Sequence, residues 1–148
     1  MIQYRESGTG GFIRLADGAT IPPDPANRDR ADMLRQIEAA EAEVLPAPAP
    51  TVAALVASTK AEAQRRILAA FPVWKQANMT ARGVELVDKV AYGETLSQDE
   101  AGERDALRAA WAWVKSARAA SDEIEAAIAG MTDAERVAFN ALTRPEWP

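Results

Sequence analysis

Cysteine and histidine are both missing from this chain. Without cysteine, disulfides, thiolate metal sites and cysteine nucleophiles are excluded. Without histidine, the chain loses the commonest general base near neutral pH, the usual zinc ligand and every Ser/His/Asp arrangement. Carboxylate di-metal bundles go as well, because they need a Glu-x-x-His pair on two helices. Aromatics are scarce, with four Trp, three Phe and two Tyr. A chain that is instead rich in Ala, Glu and Arg favours helices over sandwiches or barrels. No apolar run approaches the roughly 20 residues of a spanning helix, and the opening "MIQYRESGTGG" lacks the apolar stretch of a secretory signal. Net charge is −5 with Lys and Arg interleaved among the acids, so no basic stripe is offered to a phosphate backbone. The expectation is a soluble protein, made and kept in a cytoplasm, that engages neither nucleic acid nor membrane and carries no cofactor and no metal.

What is present reads as a mainly α protein with a β-hairpin arm. The 148 residues suffice for one modest domain plus an arm that folds without staples. Ile2 and Tyr4, then Phe12, Ile13 and Leu15, flank "ESGTGG", and "ADGA" at 16–19 supplies an Asp-Gly turn. A two- or three-stranded hairpin unit is expected there. Pro22, Pro23 and Pro25 then remove donors and extend the chain into a stiff strap. Asp24 before Pro25 fits a helix N-cap. Met33, Leu34, Ile37, Ala40 and Val44 recur at helical spacing, which predicts a helix to about Leu45.

The alternating "PAPAP" of residues 46–50 is a polyproline-like spacer of ~3 Å per residue. It divides an arm, 1–45, from a helical body, 51–148. Thr51 caps a helix whose stripe is Val52, Leu55, Val56, Ala63, Ile67, Leu68 and Phe71, with Pro72 as its end. Helical spacing resumes through Trp74, Val84, Val87 and Val90, with Asn78 or Thr80 as a cap and Gly93 as the stop. Ser97 and Glu100 form a capping box with Leu96 at the staple position, opening a long helix over 98–129 ended by Gly130. Its positions Leu107, Ala110, Val114, Ala117, Ser121, Ile124 and Ile128 step by three and four, the spacing of a heptad seam. A second box, Thr132 with Glu135, opens a short last helix through Val137 and Leu142.

Two uses of the long helix stay open. Trp111 falls beside the Leu107 and Val114 seam while Trp113 points toward Ala106, Ala109 and Ala120, an apolar arc of roughly 200° against the ~100° of a one-sided helix. Either the helix is central in its own bundle, or one face meets another copy or a partner, giving a homo-oligomer through the long helix. Trp147 is a candidate anchor. "GTGG" at 8–11 lacks the third glycine of a dinucleotide fingerprint and the Gly-Lys-Ser/Thr of a P-loop, so it reads as a turn. Glu38, Glu41 and Glu43, and Asp122, Glu123 and Glu125, offer paired carboxylates for an acid/base enzyme, yet helical acids flanked by Lys and Arg form a solvated face. Asn78-Met79-Thr80 matches a glycosylation sequon, and Asp17 and Asp24 lack calcium-loop spacing.

"IRLADGATIPPDPANRDRADML" resembles the opening of small proteins encoded beside tail-fibre genes in bacteriophages and prophages. There an apolar strand, Asp-Gly, Ile-Pro and "DPAN" precede a short helix and a proline-rich spacer. "WKQANMTARGVELVDK" and "ALRAAWAWVKSARAASDEIE" resemble the C-terminal body of such proteins. The sequence departs from that pattern at Arg30, Ala31 and Asp32, where an aromatic is expected. The resemblance implies no catalytic residue. It implies a structural component of the virion tail, present in the host cytoplasm during assembly, or a fibre-assembly chaperone absent from the particle. Tail-fibre or baseplate proteins are the implied partners, and Phe12, Ile13, Leu15, Ile21, Trp113 and Trp147 are the residues expected to meet them, the arm by adding to a sheet edge.

Overall fold

A computed structural model describes residues 1–148. The chain is mainly α-helical and divides into two compact units, Met1–Ala49 and Pro50–Pro148.

The first unit is a small sheet covered on one face by a helix. Strands β1 (Ile2–Glu6), β2 (Phe12–Arg14), β3 (Thr20–Ile21) and β4 (Ala42–Leu45) lie in the order β3-β2-β1-β4. β1 and β2 pair antiparallel with Tyr4 opposite Arg14, and β2 meets β3 with Phe12 opposite Ile21. The turn between β2 and β3 is closed by Arg14, whose amide N–H donates to Ala19 O at 2.9 Å while its guanidinium donates to the Asp17 carboxylate. Arg14 and the Ala19 N–H together hold the Asp17 carboxyl at about 2. Gly18 supplies the positive φ of +73° this turn requires.

Helix α1 (Arg28–Glu38) is capped by Asn27, whose side chain accepts from the Arg30 amide, so the N-cap is Asn27 and not Asp24. Asp24 instead accepts from the Ala26 amide in the preceding turn. Tyr4, Ile21 and Met33 form the buried core, with Phe12, Ile37, Ala42 and Val44 around them. The Tyr4 hydroxyl donates to Gln36 Oε1 at 2.6 Å, which satisfies the one polar atom that this ring carries inward.

The predicted helix to Leu45 is corrected here. α1 stops at Glu38 and the chain reverses into β4, which runs parallel to β1 with Tyr4 opposite Val44. A parallel partner needs a crossover, and β2, β3 and α1 together make the connection from β1 to β4. The stop is a Schellman pair: Glu41 N–H donates to Gln36 O and Ala40 N–H to Ile37 O, with Ala40 at φ +57°. The sheet therefore has four strands where two or three were expected, and Val44 packs from a strand.

The second unit is a helical body. Helix α2 (Val52–Ala70) begins at the Thr51 cap and ends before Pro72. Helix α3 (Val73–Ala91) runs uninterrupted, so neither Asn78 nor Thr80 is a cap; the Thr80 hydroxyl donates back to Gln76 O within the helix. Gly93, at φ +81°, ends it. Helix α4 (Gln98–Ile128) opens on the complete Ser97/Glu100 capping box. Gly130 plays no left-handed role at its end, since it is not among the glycines of positive φ. Helix α5 (Asp133–Ala138) opens on the Thr132/Glu135 box, and a short 3-10 turn (Ala141–Thr143) follows, where one last helix was expected to continue.

The core lies between α2 and α4, where Leu55, Ala63, Ala120, Ile124 and Ile128 are buried together with Trp147. The seam residues Val114, Ala117, Ser121, Ile124 and Ile128 are all buried, while Leu107 and Ala110 are only partly so. The C-terminal half of α4 is thus covered on its seam, and the N-terminal half is left to α3. No helix of either unit is long and apolar enough to cross a membrane.

Candidate interaction surfaces

The six residues expected to meet a partner separate into three groups. Ile21 and Trp147 are interior. Ile21 is 1% exposed beneath α1. Trp147 is 9% exposed, its indole N–H donates to Ala141 O at 2.7 Å, and the Arg66 guanidinium sits 5.2 Å from its ring centroid. Both are corrected from partner anchors to core residues, because the energy of their apolar surface is already used inside their own unit. Phe12 also turns inward, half-buried on the core of the first unit, with the Arg30 guanidinium 5.3 Å from its centroid.

Ile13 and Leu15 lie on the opposite side of the sheet. Strand alternation puts Ile13 opposite Arg5 and Thr20, and Leu15 beside Gln3, to whose carbonyl its amide donates at 2.9 Å. Leu45 shares this face across Arg5. Within the first unit no helix covers it. The edges of the sheet are poor templates for an added strand. β3 has two residues and runs into Pro22, and β4 has four and runs into Pro46. The face, more than an edge, is what this unit presents.

Trp113 is half-buried in the body, edge-on to Phe71 with centroids 5.6 Å apart. Its neighbour Trp111 is the residue that opens onto a surface. Between α3 and α4 lies an open groove of about 620 Å³ lined by Met79, Gly83, Val84, Val87, Leu107 and Trp111, with Arg104, Arg108 and Lys115 along its α4 side. Val84 is 55% and Val87 63% exposed. At 100° per residue Val73, Thr80, Val84 and Val87 fall within a roughly 60° arc, so α3 carries one continuous uncovered face.

α3 is held to α4 along the flank of this face. Leu86 is buried there, Met79 is buried at the floor of the groove, and ion pairs join the two helices: Arg82 with Glu103 at 2.9 Å, and Lys89 with Glu100. Lys89, and then the Ser97 amide, pull the Glu100 carboxyl from 4.5 to about 2. The hydrogen bonds that Arg82 donates to Glu103 and Glu85 in turn raise its own value.

One buried polar cluster was not expected from the sequence. Glu62, 4% exposed, accepts from Arg65 and Arg66 at 2.7 Å, and the Arg65 contact leads in lowering its carboxyl below 4.5. Arg66 continues to Leu142 O at 3.0 Å, and Thr59, fully buried, donates to Leu55 O. The signal was the i,i+3 and i,i+4 spacing of Glu62 to Arg65 and Arg66. This cluster ties α2 to the C-terminal turn.

The acids considered for acid/base work do not converge. Glu41 and Glu43 leave the helix altogether, one in the turn after α1 and one on β4. Asp122 and Glu123 are exposed, and Glu125 pairs with Lys60 and Ser121. No three acidic side chains come together as a metal-binding group. What the arrangement offers chemically is apolar contact with a cationic margin. No family model, no curated protein and no solved structure matches this chain.

Proposed function

We propose that this protein is a non-enzymatic structural component of a bacteriophage tail that works by fitting against other polypeptides, with tail-fibre or baseplate proteins as its partners. The observation that carries this reading is the uncovered face of α3, where two valines and the neighbouring Trp111 line an open groove instead of a core. Apolar area of this kind gains about 25 cal/mol per Å² when a partner removes it from water, and contiguous patches mark interaction sites. The Ile13, Leu15 and Leu45 face of the sheet is a second surface of the same character, and the tail-protein resemblance of "IRLADGATIPPDPANRDRADML" supports the choice of partner class.

Mass spectrometry of purified tail particles tests this. A fixed copy number per particle is expected. Absence from the particles together with misfolded fibres in a deletion strain would move the protein to the chaperone reading. Absence with normal fibres would end both.

A further inference from the structure

We infer that the α3/α4 groove receives an acidic amphipathic helix from the partner protein, an inference that rests on the docking reading above and specifies its chemistry. Charge complementarity is the first reason. In a chain of net charge −5, this groove is lined by Arg104, Arg108 and Lys115 and by no carboxylate. The three cations stand within a roughly 40° arc of α4 and span about 16 Å of its length, about three helical turns. The α3 cations Arg82 and Lys89 are satisfied by Glu85, Glu100 and Glu103. Arg104 and Arg108 share one exposed carboxylate, Asp105, at 3.2 and 3.6 Å, and Lys115 is in no ion pair. The groove therefore holds cation valence that the chain itself does not use.

The shape of the floor gives the second reason. Val84 and Val87 from α3 face Leu107 and Trp111 from α4, the i,i+3 and i,i+4 pattern of anchors that accepts a third helix in the valley between two. Gly83 sits mid-helix on this wall, and a Cβ built on it meets nothing within 4 Å. Glycine there forgoes about 1 kcal/mol of helix stability relative to alanine and gains the chain no internal contact. It leaves room for a neighbouring backbone. A second copy seated groove to groove would set six cations against one another, which like-charge repulsion opposes.

The test uses the full chain and three labelled synthetic peptides that share one leucine stripe and differ only in flanking Glu, Gln or Lys. By fluorescence anisotropy the Glu peptide is expected to bind at least about tenfold more tightly than the Gln peptide, to weaken in about 0.5 M salt, and to outcompete the Lys peptide. Arg108→Glu with Lys115→Glu should invert that order, a reversal that misfolding does not produce. Gly83→Ala should raise the melting temperature and weaken the Glu peptide. Equal affinity for all three peptides, binding of none, self-association through the groove, or capture by phosphatidylglycerol vesicles in place of the Glu peptide would each overturn the inference. A failure here with the protein present in tail particles refutes only the groove's partner, whereas absence from particles refutes the wider function and leaves the peptide result standing.

Discussion

Ala40 and Gly93 do the same work at two helix ends. Each follows its helix with the chain in the left-handed region, at φ +57° and +81°. Each is followed by an amide that reaches back five residues, Glu41 to Gln36 O and Glu94 to Lys89 O. Glycine enters this region freely, whereas a Cβ there crowds the following carbonyl at about 1 to 2 kcal/mol. Ala40→Gly should therefore stabilise the first unit by about 1 kcal/mol in urea unfolding, the cap relief being partly offset by the greater entropy of glycine in the unfolded chain. The same change at Ala39, the C-cap residue before it with φ −76°, should destabilise through the greater entropy of glycine in the unfolded chain. If both changes lower stability equally, the left-handed strain at Ala40 is not a significant term.

At the scale of elements, what was legible in the sequence was what local chemistry decides. The Ser97/Glu100 and Thr132/Glu135 boxes and the Thr51 cap each place a hydroxyl on an amide three residues on, and all three helix starts stand where the spacing put them. The end of α1 was hidden because alanine, a helix former, occupies the left-handed position, and because Ala40 and Val44 are four apart, a spacing that suits a continuing helix as well as one face of an extended chain, where every second residue points the same way. The buried face of α2 was incomplete in the same way: Thr59 and Glu62 lie on it, and only their hydrogen bonds make that tolerable. For the groove, the stripe of Val84 and Val87 was visible, but a stripe specifies that a face is apolar and says nothing of whether the chain itself covers it.

The seam between α3 and α4 turns on carboxylates, which gives it a pH dependence. Glu100 has a folded-state value of about 2 against 4.5 for the free group. A depressed carboxyl contributes stability above its unfolded value and loses it as pH falls through the folded one. The melting temperature of Glu100→Gln should thus lie below that of the unaltered chain at pH 6, with the gap closing between pH 4.5 and about 2. Circular dichroism melts across that range check this, and a gap that stays constant would assign the effect of Glu100 to helix capping instead of its charge.

At the scale of the whole molecule, the two buried clusters share no residue. One draws only on Tyr4 to Val44, the other only on Leu55 to Trp147. A unit whose apolar interior is complete in itself has no need of the other to fold, but its size sets how well it does so. Domains of about 100 residues bury enough surface to stand alone, whereas those near 50 are marginal without staples, and this chain has no cysteine to form one. A fragment of residues 50–148 is therefore expected to melt cooperatively within a few degrees of the helical transition of the full chain. A fragment of residues 1–49 should show weak, shallow unfolding that an added acidic-helix peptide leaves unchanged, since the groove lies wholly in the other unit. Loss of the helical transition from the 50–148 fragment would mean that its core depends on the sheet, and the separate roles assigned to the two surfaces would then have to be joined into one.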